Sequence, residues 1–293
     1  MTIRTQASKI FYGIKKEAAK ISYHKLKKGP YYLPSELLSQ LDATYSYDNT
    51  VFYDFESNLA RAKERFTFLN DKLEGYGKTL KGAEVLELGC GDGLICAIMN
   101  DHGSRSTAVD LDDTLFDQYA TDRGVKYFTM DATKLKFEDA SFDFIFSHNG
   151  FEHFSDPEAV YNECNRVLKP GGMMYFQFNP LYYSPFGYHG YKSIAIPYLH
   201  ILFSQNDFTR FAKSQNRPEL YTSPDFLNKK QVGYFRDLFN NNTPDLKVLF
   251  YEEEKNNYFV DLIRKFPSCF KKENVPFENF ITSGIRIWVK KSI

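Results

Sequence analysis

The side chains best placed to do chemistry in this chain stand between residues 87 and 153. Glu87 precedes three alternating glycines, Gly89, Gly91 and Gly93, with Cys90 inside the run. Asp110, Leu111, Asp131, Ala132, Ser147, His148, Glu152 and His153 follow. Glycines without a Cβ let a backbone pass close to a ligand, and a helix starting just after them has unpaired N–H groups to offer. That combination describes a nucleotide-binding turn. A dinucleotide fingerprint needs its third glycine where Leu94 stands, so the helix-packing glycine is missing. A carboxylate two residues before Gly89 also disfavours a pyrophosphate and suits a ligand that carries an ammonium group.

The elements that position these groups follow from the apolar pattern. Val85, Leu86 and Leu88 read as a buried parallel strand that runs through the glycines into an apolar helix over 93–101. Strands are expected near 84–88, 105–110, 125–129, 142–147 and 173–179, with helices near 113–121 and 157–167 between several of them. Parallel strands with right-handed crossovers follow from that order. Ser155-Asp156-Pro157-Glu158 marks a helix start, with a cap, a proline at the first position and an acid in the first turn. A further helix is expected over 229–240, a sixth strand over 246–251 and a seventh, with Trp288, over 284–290.

S-adenosylmethionine is a ribose-bearing ligand with the required ammonium. The run Glu87-x-Gly89-x-Gly91-x-Gly93, then Ala108-Val109-Asp110, resembles motif I and the acidic loop of class I S-adenosylmethionine-dependent methyltransferases. Met130-Asp131-Ala132, Phe142 to Ser147 and Arg166 to Gly172 continue the resemblance in order, over roughly residues 80 to 180, toward the broad type 11 small-molecule group. It implies a Rossmann-like α/β sheet, mostly parallel with an antiparallel last strand and helices on both faces. An N-terminal helical cap over 1–80 and a core over 81–293 are expected, with insertions at about 180–227 and 252–282.

The resemblance also implies roles. Glu87 holds the methionine ammonium, with Gly89, Cys90, Gly91 and Gly93 forming the turn, and Asp110 accepts the ribose hydroxyls. Asp112, Asp113 and Thr114 are better placed to cap the next helix, which frees Asp110 for the ligand. Leu111 packs on the adenine, Asp131 accepts its amino proton and Ala132 offers an N–H. Asp131-Ala132-Thr133 is equally plain turn chemistry, so an Asx-turn stays open. Ser147 lies against the methionine end. The sulfonium methyl is already electrophilic, so the protein need only align a nucleophile, exclude water and, for a hydroxyl or amine, remove a proton. His148, Glu152 and His153 are the candidates for that proton. Glu152-His153 resembles a pair that takes part in metal binding in quinone-type O-methyltransferases, but Asn149 stands where that family has an acid, so no metal is expected. A partner within the helix-start loop is the other role open to His153.

Lys plus Arg and Asp plus Glu number 37 each, so nothing global argues for nucleic acid. The methyl acceptor is expected to be a small molecule, sugar or lipid-linked group, methylated at oxygen. No Asn/Asp-Pro-Pro-Tyr/Phe tetrad follows the fourth strand, where Ser147-His148-Asn149-Gly150 stands instead. A catalytically silent cofactor-binding subunit that holds a protein partner is the reading from another class. The four cysteines are scattered without a C-x-x-C pair, which fits a reducing cytoplasm. No cleavable signal and no membrane span of about 20 apolar residues is read.

Twenty-eight Phe and twenty-one Tyr exceed what a core needs, although codon bias would produce the same excess. Many fall between Asn179 and Pro224, where Tyr182, Tyr183, Tyr188 and His189 are expected to contact the acceptor from an insertion over the site opening. A helical satellite core is the alternative. Residues 7–28 form an expected helix with Ile10, Ile14, Ala18 and Ile21 on one side and Lys9, Lys16, Lys20 and Lys27 largely elsewhere. It either closes over the cofactor or lies on anionic lipid as a peripheral membrane contact. Closure is preferred, because Glu17 interrupts the basic face. A short helix over 35–41 and a long one over 56–80 follow, the latter with Leu59, Ala62, Phe66, Leu69 and Leu73 as its buried stripe.

Overall fold

The computed structural model describes residues 3–25, 31–45, 54–217, 227–240, 243–272 and 274–293. The side chains of residues 3–11 and 14 are outside that description, so Ile10 and Ile14 of the expected stripe and Lys9 of the expected basic side are not described, nor is Lys27 of that side. In chain order the helices are α1 (Ile3–Lys25), α2 (Leu37–Thr44), α3 (Phe55–Gly75), α4 (Leu94–Asp101), α5 (Gln118–Thr121) and α6 (Pro157–Val167). Then come α7 (Leu199–Leu202), α8 (Gln205–Ser214), α9 (Val232–Asn240), α10 (Val260–Lys265), α11 (Pro267–Phe270) and α12 (Glu278–Ile281). The strands are β1 (Glu84–Leu88), β2 (Arg105–Asp110), β3 (Lys126–Thr129), β4 (Phe142–His148), β5 (Leu168–Phe178), β6 (Leu246–Lys255) and β7 (Thr282–Lys291).

All seven strands form one sheet in the order β3-β2-β1-β4-β5-β7-β6. β1 pairs in parallel with β2 and β4, β2 with β3 and β4 with β5, while β7 runs antiparallel to β5. This is the expected Rossmann-like sheet, with its antiparallel strand added last. The order reverses between β1 and β4, and the carboxyl ends of two such strands are where open α/β sheets bind ligands. Glu87 and the glycines leave one of those ends, and His148 the other.

Contacts divide the chain into two compact units. The first draws on Thr50–Phe178, Asp237–Glu252 and Ile285–Ile293, and the second on Met1–Asn49, Asn179–Arg236 and Glu253–Gly284. The division falls at Asn49 instead of residue 80, because α3 belongs with the sheet. Its predicted stripe, Leu59 to Leu73, is buried as expected in one cluster with Val85, Leu94, Ile98 and Trp288. Asp54 caps α3 by accepting from the Ser57 N–H at 3.0 Å, and Gly77, at φ 71°, ends it.

The expected helix over 113–121 is reduced to α5. Asp112 takes the Thr114 N–H at 2.8 Å in an Asx-turn, and Asp117 takes that of Tyr119 at 2.8 Å, which starts the helix one turn later. α6 begins where predicted, with the Asp156 carboxylate accepting from the Ala159 N–H at 3.1 Å.

The second unit has its own core. Tyr188, Ile194, Tyr198, Phe203 and Phe208 pack with Val260, Ile263, Phe270 and Phe280, and with Ala19, Tyr23, Leu38 and Leu41. Residues 252–282, which carry no legible pattern, thus supply a large share of it. The buried face of α1 is Ala19 and Tyr23; of the expected stripe, Ala18 is half-buried and Ile21 is exposed. Tyr23 sets that rotation by donating its hydroxyl to the Val275 carbonyl at 2.5 Å, and Lys15, one turn before Ala19, pairs with Asp261. No described helix is long and apolar enough to cross a membrane.

Candidate functional site

The glycine turn is held by backbone bonds to β2. The N–H groups of Gly89 and Cys90 both donate to the Val109 carbonyl, at 2.9 and 3.2 Å, so β1 ends on β2. Gly89, Gly91 and Gly93 all have positive φ. A Cβ on Gly93 would lie 2.2 Å from the Tyr127 hydroxyl, which donates to the Asp92 carbonyl at 2.8 Å. A side chain there is excluded twice, by conformation and by Tyr127. The Cys90 thiol is buried, and burial pushes it far above the usual thiol range, so it is an inert wall of the turn.

Glu87 is 3% exposed, and its Oε2 has no hydrogen-bond partner among the described residues. Burial pushes its carboxyl up to about 8, against the smaller opposing effects of the adjacent Cys96 thiol and the Arg65 guanidinium. A buried carboxylate without a cation is costly, by several kcal/mol for an unpaired ion. Arg65, which the sequence does not single out, also bears on the site. It sits on α3 beside the buried stripe, and its charge also acts on Asp92 and His148. Nothing in its spacing distinguishes it from the other charged residues of α3.

Asp110 closes the turn from β2. Its Oδ2 accepts the Gly91 N–H at 2.9 Å and its Oδ1 the Leu111 N–H at 2.8 Å. A carboxylate has about four acceptor positions, so capacity for a ribose remains. Leu111 is 71% exposed and offers an open apolar face. Met130 N–H donates to the Asp110 carbonyl at 2.9 Å, which brings the Asp131 loop alongside. Asp131 accepts from the Thr133 N–H at 2.8 Å in an Asx-turn, the other role its sequence left open, while Ala132 is buried.

At the end of β4, Ser147 donates its hydroxyl to the Leu88 carbonyl at 2.8 Å. A Cβ on Gly150 would lie 2.4 Å from that Ser147 Oγ, and one on Gly89 would lie 3.7 Å from the Gly150 Cα. The two loops therefore meet through glycine. His148 is buried, with Nδ1 at 3.0 Å from the Gln177 Oε1, an acceptor that fixes the proton on Nδ1. Its Nε2 has no partner among the described residues. Burial, reinforced by Arg65, lowers it to about 3 despite the opposing bond to Gln177, so the ring stays neutral and is a weak base. The N–H groups of His153 and Phe154 both return to the Gly150 carbonyl, at 2.9 and 3.1 Å. That single turn sets His153 Nε2 at 3.9 Å from Oε1 of the buried Glu152, with the His153 side chain 24% exposed.

Tyr182, Tyr183, Tyr188 and His189 belong to the second unit. Tyr182 and Tyr183 are half-buried with their rings 5.1 Å apart, and Tyr188 is buried. His189 stands within 3.2 Å of the Pro180 carbonyl through Nε2. A Cβ on Gly187 would meet the Tyr182 and Leu181 carbonyls at 2.1 and 2.2 Å, so the tight turn that carries these rings requires glycine.

Residues 86–176 match the family described as "Methyltransferase domain". A ubiquinone biosynthesis O-methyltransferase from Coxiella burnetii is 34% identical over 103 residues, 33% of this chain and 44% of that protein. A malonyl-[acyl-carrier protein] O-methyltransferase from Serratia marcescens is 29% identical over 109 residues, 37% and 43% of the two chains. The chain thus spans less than half the length of the curated relatives it matches. Among solved structures, an S-adenosylmethionine dependent methyltransferase from Mesorhizobium loti is similar with a TM-score of 0.46 and 16% identity, covering 72% of this chain and 92% of that one.

Proposed function

We propose that this chain, whose residues 86–176 match a methyltransferase domain, is a class I enzyme that binds S-adenosylmethionine and transfers its methyl group to an oxygen of a small-molecule acceptor. The observation that carries the reading is Glu87, a buried carboxylate beside a glycine turn whose Oε2 lacks a partner among the described residues. An ammonium group placed there compensates the buried charge and the unmade hydrogen bond together. Asp110 fits a ribose, and the exposed Leu111 fits an adenine face. The family match and the names of both curated relatives, each an O-methyltransferase, support the transfer and the choice of oxygen.

Bound there, S-adenosylmethionine supplies an electrophilic sulfonium methyl, which leaves the chain to orient the acceptor and remove its proton. His153 is the base in this reading. It is partly exposed, and Glu152, 3.9 Å from its Nε2, stabilises the imidazolium that forms on proton transfer. His148 is assigned to positioning, since a ring lowered to about 3 takes a hydroxyl proton poorly. The aromatic second unit is assigned to acceptor recognition through Tyr182, Tyr183, Tyr188 and His189.

Calorimetry with S-adenosylmethionine, its demethylated product and NAD tests the cofactor: both sulfur nucleotides bind and NAD does not. Transfer of labelled methyl to a cell extract, followed by mass spectrometry, then identifies the acceptor. Failure of both sulfur nucleotides to bind ends the proposal.

A further inference from the structure

Two half-buried lysines of the second unit lie against aromatic rings. Lys229 has a left-handed backbone, φ 56°, and sets its Nζ 5.7 Å from the centre of the Tyr182 ring. Lys272 sets its Nζ 4.8 Å from the centre of the Tyr32 ring. Both are half-buried, and neither forms an ion pair among the described residues. The acids of this unit that do pair are committed elsewhere: Asp42 to Arg217, Asp261 to Lys15, and Glu253 and Glu278 to Arg236. Burial lowers Lys272 from the usual ammonium range, the direction expected of a charge held without a counter-ion.

The neutral groups packed around Tyr182 are equally unfinished. His200 is buried, packs its ring 4.6 Å from that of Tyr182 and 5.8 Å from that of Tyr188, and has Nε2 at 2.6 Å from the Tyr182 carbonyl. The Nε2 proton is fixed by that carbonyl, so Nδ1 is an acceptor, and it has no partner among the described residues. The buried Tyr188 hydroxyl has none either. The Leu33 N–H donates to the Leu202 carbonyl at 2.7 Å, which joins the segment of Tyr32, and so Lys272, to the helix that carries His200. Burial holds His200 down at about 3, and the nearby positive charges, Lys272 and Lys229 among them, act in the same direction. The electrostatic neighbours of Tyr182 include Tyr32 and Tyr188. The cluster therefore offers two ammonium groups, phenolic O–H donors and a neutral ring nitrogen, with no carboxylate among its named members.

We propose that this cluster recognises the acceptor through an anionic group, a carboxylate or a phosphate, held by Lys229 and Lys272 and flanked by Tyr182, Tyr188 and His200. Such an anion satisfies both lysines and the Tyr188 hydroxyl, and a neighbouring hydroxyl on the same molecule satisfies His200 Nδ1. A neutral or cationic acceptor leaves the two like charges uncompensated. The inference deepens the reading of the second unit as the acceptor-recognising part of a methyltransferase and rests on it.

The test uses the full chain. Inorganic phosphate and malonate are titrated separately by calorimetry at fixed ionic strength, against wild type and the double variant Lys229→Gln/Lys272→Gln. S-adenosylmethionine is titrated into the same samples. At least one anion is expected to bind wild type and to bind the double variant at least about tenfold more weakly, with S-adenosylmethionine affinity unchanged and Lys→Arg at both sites restoring anion binding. Binding of phosphate alone assigns a phosphorylated acceptor, of malonate alone a carboxylate, and of both a site that reads charge. If neither anion binds, or if the variant binds as wild type does, the anion site is overturned. Lysine-dependent anion binding without S-adenosylmethionine binding instead overturns the methyl-transfer reading and leaves the anion site standing.

Discussion

The Gly91 N–H donates to Asp110 Oδ2 at 2.9 Å, so the acid at the end of β2 fastens the glycine turn at the end of β1. The residue read as a ribose acceptor is thus also a strut for the loop that passes the ligand. Replacing Asp110 with Ala removes two backbone partners, Gly91 and Leu111, and is expected to destabilise the chain by about 1–3 kcal/mol besides weakening the cofactor. Urea unfolding with and without S-adenosylmethionine separates the two effects. An unchanged unfolding midpoint in the absence of ligand denies Asp110 its structural share.

Glu87 gives a signature in pH. Its folded carboxyl is raised to about 8 from an ordinary 4.5 by burial. Between those values the folded chain holds more protons than the unfolded one, so this group's contribution to stability is complete below pH 4.5 and is lost as pH rises through about 8. Glu87→Gln carries no such loss. The variant should therefore gain thermal stability relative to wild type on going from pH 5 to pH 8.5. Parallel melting curves across that range would place the Glu87 proton elsewhere.

The same substitution should weaken S-adenosylmethionine. One charge-assisted bond to an ammonium is worth about 1.5–3 kcal/mol, which is roughly ten- to a hundredfold in affinity. Calorimetry at pH 8.5 reads the loss directly, and full affinity in the Gln variant contradicts the assignment.

Gly150 tests how the turn after β4 meets the glycine turn. A Cβ there would lie 2.4 Å from Ser147 Oγ and 3.1 Å from the Phe154 ring. Gly150→Ala is expected to cost about 1–3 kcal/mol by overpacking. Adding Ser147→Ala removes the nearer obstacle and should recover part of that loss, a coupling that a double-mutant cycle measures. Strict additivity would mean that the two residues do not collide.

His153 carries the base assignment. Its replacement by Ala should lower kcat by about a hundred- to ten-thousandfold once the acceptor is known, with cofactor affinity unchanged. His148→Gln should act less severely, since its ring is already neutral throughout the working range. The reverse ranking of the two variants would exchange their roles.

Much of the sheet was legible in the chain before any coordinate. Val85, Leu86 and Leu88 form a continuous apolar run because a parallel strand is buried on both faces, and the glycines mark where that strand must turn. Asp156, just before Pro157, was a capping residue for local reasons, and it caps. Such features are set within a few residues of themselves, so spacing alone reveals them. The face that α1 buries was decided elsewhere, by the Val275 carbonyl that takes the Tyr23 hydroxyl and by Asp261 that takes Lys15. Residues 252–282 showed no period, since their helices are short and each apolar residue answers to a different neighbour of the second core. Arg65, Gln177, Lys229 and Lys272 were invisible for the same reason. What a polar side chain does depends on the groups brought beside it and on whether water is excluded there, and only the tertiary structure decides either.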